Sequence, residues 1–288
     1  MIHEKMHPLP PSHLTESEDI VNDPRMQYNI GKTQNSPVHI PTFLQKNAGD
    51  PAIKVTLCFS LVSVLMLTWQ NFFLKLREHL LPRIQEVLRR EVASLPDNFG
   101  SGTGSLEIGG APSIDCDVSS FVFLKKDQIY HHHLVRFHFT MYDMQRGTDI
   151  INLGTSHCNI MLLADNTNTT DCLHHFLYAQ VLGAYHANVI YTGPGMHNYE
   201  AHHFDFLWVQ WYKVVDPKSS GWDNLRLDSV RFLPMNREDA FGFVDPNDVL
   251  RGCHIMPIFA EGKRQVNGIG ISCCAKDGKD YNRYYIGR

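Results

Sequence analysis

Between Asn71 and Asn98, Phe73, Leu76, Leu80, Ile84, Val87 and Leu88 recur at intervals of three and four, with Lys75, Arg77, Arg89 and Arg90 outside the stripe. That spacing predicts an amphipathic helix over residues 71–96, because 3.6 residues per turn bring such positions onto one face. Pro82 lacks the N–H that the helix ladder requires and is expected to kink or divide the helix, while Pro96 and Asp97 mark its end. The Gly/Ser-rich stretch GSGTGSLEIGGAPS then reads as a linker, assigned with its flanks to residues 97–120. Beyond it the pattern shortens to β-type runs bounded by turn residues, such as YHHHLVRFHFTMYD, HCNIMLLAD, FLYAQVLGAYHANVIYTG, FDFLWVQWYKVVD and LDSVRFLP. In the fourth run, Phe204, Phe206, Trp208, Tyr212 and Val214 form one alternate set and Leu207, Val209, Trp211 and Val215 the other. Both sets are apolar, as a central strand covered on two faces requires. Turn signals at Thr192-Gly193-Pro194-Gly195 and Asp216-Pro217 favour antiparallel neighbours. The fold class expected is α+β: a kinked amphipathic helix followed, over 121–288, by a β-rich module built as a small antiparallel barrel or sandwich.

Two stretches stand outside this pattern. Residues 1–50 are rich in Pro, Ser, His, Asn and Asp and carry few spaced apolar residues, so they are expected to be disordered. Residues 55–70, VTLCFSLVSVLMLTWQ, hold no charge, yet fall slightly short of the roughly 20 residues that a bilayer span needs. Thr56, Ser60, Ser63, Thr68 and Gln70 interrupt the stretch, so a single-anchor membrane protein is the weaker reading of it. A translated intron fits better. Val55 can begin with the GT of a donor, Leu67-Thr68 can contain the branch-site sequence CTGAC, and Gln70 can end in the AG of an acceptor. Excision joins DPAIK to NFFLKLREHLL and leads straight into the helix.

Composition changes this picture little. A hydrophobic content of 43% suffices for a sizeable core, and a net charge of −4 supplies no general basic field for nucleic acid. Any DNA contact would therefore be local. The seven cysteines follow no disulfide-framework spacing, which fits a reducing compartment. No GxxxxGK[ST] or GxGxxG loop occurs, and no cofactor is expected.

Candidate chemistry lies in the histidines, the aspartates and the aromatic residues. His132 and His138 fall at even spacing on one expected strand and are the candidate metal ligands, whereas His133 points the other way. No HExxH or CxxC frame accompanies them, and ordinary strand histidines are the simpler reading. Cys253-His254 with Cys273-Cys274 makes a poorer zinc set, since vicinal cysteines chelate badly. His202-His203-Phe204-Asp205 pairs imidazole with carboxylate but lacks a nucleophile motif, and is read as coincidental. Asp149, Asp205, Asp239, Asp245 and Asp248 show no spacing that selects a two-metal set, and Asp245-Pro246-Asn247-Asp248 reads as a turn. Trp208, Trp211 and Tyr212, together with Arg264 and Lys276 of a locally basic C-terminal third, are the candidate partner-binding residues through stacking, cation–π contact and charge.

The runs SPVHIPTFLQKNAGDPAIK, HHHLVRFHFTMYDMQRGTDIINLGTSHCNIMLLAD, YAQVLGAYHANVIYTG, FDFLWVQWYK, EDAFGFVDPNDVLRGCHIMPIFA and YNRYYIGR, in this order, resemble proteins of mushroom-forming fungi found in or beside Plavaka-type and related Kyakuja-Dileera-Zisupton transposons. In that family DPAIK runs directly into the helix, and the chain continues past YYIGR. The resemblance implies a partial transposon-associated protein, nuclear or otherwise cytoplasmic, whose module binds DNA or chromatin and performs no chemistry. Its rivals are a metal-dependent nuclease or phosphodiesterase, using the His131–His138 strand with a distant Asp, and the single-anchor membrane protein. Sequencing of the spliced transcript should join the codon of Lys54 to that of Asn71. A mature transcript that still encodes residues 55–70 contradicts the intron reading.

Overall fold

The computed structural model describes residues 27–30, 36–47, 50–53, 70–93, 118–141, 143–164, 174–194, 196, 199–215 and 227–287. The expected linker up to residue 117 and the apolar stretch up to Trp69 lie outside them. In chain order the elements are β1 (Tyr28–Ile30), β2 (Ser36–His39), α1 (Ile40–Lys46), α2 (Gln70–Ala93), β3 (Val122–Leu124), β4 (Gln128–His132), β5 (Leu134–Thr140) and β6 (Arg146–Asn152). There follow β7 (Asn159–Leu163), β8 (Phe176–Tyr191), β9 (His202–Val214), β10 (Ser229–Phe232), β11 (Phe241–Val244), β12 (Val249–Gly252), β13 (His254–Pro257) and β14 (Tyr284–Gly287). The fold is α+β with a β-rich module, and every pairing of these strands is antiparallel. No helix among the described residues is long and apolar enough to cross a membrane.

β8 and β9 pair from Ala179 with Trp211 to Val189 with His202 and serve two layers at once. On one face Tyr185, Ala187, Val189 and Tyr191 of β8 join Phe204, Phe206 and Trp208 of β9 against Phe72, Leu76, Leu80, Ile84 and Leu88 of α2. The helix stripe is a strict four-residue repeat, with Phe73 and Val87 half-buried at its margins. On the other face Ala179, Val181, Ala184, Leu207 and Val209 meet Ile30, Val135, Phe137 and Ile151 of a three-stranded sheet ordered β1-β5-β6. A bulge between Val181 and Gly183 adds one residue to β8 and so changes which parity faces which layer. Gly183 is required there, since a Cβ would run into the Tyr185 ring.

The far halves of β8 and β9 build a barrel. The strand order β12-β7-β8-β9-β10-β14-β13 returns on itself, because β12 and β13 are one stretch of chain parted by Cys253 alone. That stretch pairs with β7 through its first half and with β14 through its second. Inside lie Met161, Tyr178, Tyr212, Val230, Phe232, Tyr284 and Ile286. Buried tyrosine hydroxyls need partners, and Tyr178 donates to Asp228 Oδ2 and Tyr212 to Asn159 Oδ1, each at 3.1 Å.

Two expectations are narrowed. Of the kink or division expected at Pro82, division does not occur, and the helix runs unbroken from Gln70 to Ala93. Its ring is exposed, and the buried stripe on the opposite side offsets a cost of about 3 kcal/mol. The expected disorder of residues 1–50 does not extend over their described part. β1 pairs with β5, β2 pairs with β4, and Ile40 is buried in the α2 core. Such a stretch has little apolar surface of its own and orders because distant strands supply its ladder partners.

Truncating Leu80, fully buried in this core, to Ala should cost about 2–5 kcal/mol in chemical denaturation, whereas Arg89→Ala on the solvent side should stay within about 0.5 kcal/mol. A second test concerns Asp280, which is buried beside Tyr284 and whose carboxyl is pushed up to about 7, chiefly by burial. Unfolded aspartate titrates near 3.9, so the native state holds the proton longer, and this group lowers stability progressively as pH rises from about 4 through 7. Asp280→Asn should therefore gain stability relative to the unsubstituted protein between pH 5 and 8. A constant difference across that range contradicts the assignment.

Candidate metal centre

His186 on β8 and Asp205 on β9 are directly opposed cross-strand partners, and Asn188 and His203 form the next pair on the same face. His203 and Asp205 alternate along β9 and share a face, so three polar side chains leave the ribbon on the side where the Ala184 and Leu207 pair ends the apolar layer. One ligand atom from each of His186, His203 and Asp205 lies within 4.8 Å of the others. His203 Nε2 and Asp205 Oδ1 are 3.1 Å apart. Adjacent ligands on one ion bound at roughly 2.0–2.2 Å stand about 3.0–3.5 Å apart, so this pair already has the right separation. The His186 and His203 ring centroids are 4.5 Å apart.

The surroundings hold these groups. Tyr130 on β4 is the partner of His186 and stacks on its ring at 4.5 Å and 8°. His132, also on β4 and buried, places Nε2 2.7 Å from His186 Nδ1. The Tyr28 hydroxyl of β1 donates to Asp205 Oδ2 at 3.0 Å. Arg83 of α2 donates to the Asp205 carbonyl at 2.8 Å and pairs with Asp245 at 2.8 Å, tying the helix to β9 beneath the cluster.

Metal ligation calls for a neutral imidazole and an ionised carboxylate. Burial, with the facing His203 and His132 rings, pulls His186 down to about 4, so it is neutral at pH 7. Burial pushes Asp205 up, but its bonds from His203 and Tyr28 reverse this and hold it below the usual carboxylate range. The hydrogen bond to Asp205 raises His203 in turn. A bound cation would take the place of the proton that His203 and Asp205 share.

The two histidines read as possible ligands part company. A bend at His133 ends β4 and starts β5; β4 pairs with β8, whereas β5 pairs with β1 and β6. His132 therefore reaches the cluster, and His138 bonds Thr148 at 3.1 Å in the other sheet. The expected shared face of one strand is thus corrected. The aromatic candidates are corrected as well. Trp208 is 3% exposed and stacked on Phe241, and Tyr212 lies inside the barrel on Phe232, so neither offers a free face to a base or a methylated lysine. Trp211 is half-buried against the second layer, Arg264 faces Asp280, and exposed Lys276 reaches the Leu153 carbonyl. These five do not form one surface.

The other sets disperse. Cys253 packs against the barrel interior and Cys274 against the helix core, which removes the four-ligand zinc set. Asp149 accepts from Gly252 N and Asp239 pairs with Arg237. Asp245 caps the turn its residues predict, accepting from Asn247 N at 2.9 Å. His186 escaped the reading of the sequence because it sits inside a long apolar strand. The His203 and Asp205 pair was visible, and its spacing of two on a strand was the usable signal.

Comparison with known proteins finds no family model, no curated protein and no solved structure that matches this chain. The transposon resemblance thus rests on the quoted runs alone, and the functional reading rests on the geometry of the cluster.

Proposed function

We propose that this protein binds one divalent first-row metal ion through His186, His203 and Asp205, and that the centre serves metal-assisted hydrolysis. The observation that carries the reading is the convergence of two imidazoles and a carboxylate within 4.8 Å, with His186 and Asp205 fixed as cross-strand partners. Imidazole and carboxylate suit zinc and its neighbours in the first transition row. Structural zinc sites are closed by four protein ligands, whereas catalytic ones use three and leave a position open. Among the described residues three ligands converge here, and with the His203 side chain 55% exposed they match the second type. An ion there would supply Lewis acidity to a substrate oxygen or to solvent. This supports metal-dependent chemistry, though on other ligands than the His131–His138 strand read from the sequence, ahead of the accessory nucleic-acid module, whose Trp208 and Tyr212 are packed away.

Purified full-length protein, stripped of metal and dialysed against zinc or manganese, should retain close to one equivalent by elemental analysis. Asp205→Ala and His186→Ala should lose it, and His157→Ala, an exposed histidine outside the cluster, should not. Hydrolysis of a model phosphodiester or ester should fall with chelation and return with metal. Full metal retention by Asp205→Ala, or no retention by the unsubstituted protein, rules out this centre.

A further inference from the structure

We propose that Tyr28 and His132 are positioning residues of this centre, and that through Tyr28 metal binding and the docking of β1 strengthen each other. The inference rests on the metal reading above and adds its control. Two ligands each have a second polar atom, and each of these atoms is engaged by a side chain from another strand: His186 Nδ1 by His132 at 2.7 Å, Asp205 Oδ2 by Tyr28 at 3.0 Å.

The His132 contact selects a tautomer. One proton lies between the two imidazoles. If His132 donates it, His186 carries its own proton on Nε2 and offers no lone pair there. If His186 donates it from Nδ1, Nε2 is free to ligate. Metal binding thus requires His132 to accept, and a buried acceptor at fixed distance also orients the His186 ring. Partners of this kind typically contribute ten- to a hundred-fold in metal affinity.

The Tyr28 contact couples the centre to the start of the described chain. β1 is the edge strand of the β1-β5-β6 sheet and is held by three residue pairs, Tyr28, Asn29 and Ile30 opposite Phe137, Arg136 and Val135. Beyond these, His138 N donates to Gln27 O at 2.8 Å, and Ile30 is buried. So short a strand has little docking energy of its own, and the bond from Tyr28 to Asp205 spans 177 positions of sequence. The Tyr28 hydroxyl donates to Asp205 Oδ2 and so fixes which carboxylate oxygen remains for the ion. By linkage, whatever factor docked Tyr28 adds to metal affinity, bound metal adds to the docking of β1.

The test is calorimetric titration of metal-free full-length protein with zinc chloride, using the unsubstituted chain, Tyr28→Phe, His132→Phe and His132→Gln. Tyr28→Phe and His132→Phe should bind zinc ten- to a hundred-fold more weakly, and His132→Gln, which restores an acceptor, should recover most of the loss. Hydrogen exchange over residues 27–30 should slow on adding zinc to the unsubstituted protein and not to Tyr28→Phe. A purely structural role would not move that second readout. If the unsubstituted protein binds no zinc, the metal reading fails and this inference with it. If it binds zinc in a manner that Asp205→Ala abolishes, yet Tyr28→Phe and His132→Phe stay within two-fold and exchange at 27–30 ignores zinc, only the positioning and coupling are overturned.

Discussion

The pairing of β8 with β9, with its single bulge at Gly183, is the constraint on which everything else depends. Both strands are longer than the common strand length of about five or six residues, so each face of the ribbon is extensive enough to carry more than one layer. One face holds α2 at one end and becomes the wall of the barrel at the other. The opposite face carries the β1-β5-β6 sheet. Without the extra residue at the bulge, the parity of β8 would be wrong in one half of the ribbon, and apolar side chains would face solvent there. The same register sets His186 opposite Asp205.

Aromatic packing reinforces that arrangement. Phe72 of α2 meets Trp208 at 4.8 Å and Phe243 at 5.0 Å in edge-on geometry, which seats the helix on the aromatic sheet surface. Arg83 completes the contact through a carbonyl and a carboxylate of the sheet side. Helix, ribbon and cluster are thereby tied together by direct contacts.

Much of this was legible in the residues. The four-residue repeat from Leu76 to Leu88 announces α2, and the two apolar alternate sets of β9 announce a strand covered twice. What was not legible depends on non-local pairing. YHHHLVRFHF contains no Gly or Pro, so nothing local marks the bend at His133 that sends β4 and β5 into different sheets. The barrel closes through β12 and β13, whose division at Cys253 has no turn signature. Tyr28–Ile30 and Ser36–His39 look too polar to order, yet do so because β5 and β4 lend them ladders. For the candidate centre, the spacing of His203 and Asp205 was readable, whereas the arrival of His186, His132 and Tyr28 follows only from register.

The account stands or falls on whether the cluster ligates an ion. The most direct measurement is a crystal structure of the full chain grown with zinc, with anomalous data collected on both sides of the zinc absorption edge. The account predicts one anomalous peak at bonding distance, roughly 2.0–2.2 Å, from His186, His203 and Asp205. A zinc-saturated crystal without density between these three side chains, or with its peak on other residues, would contradict it.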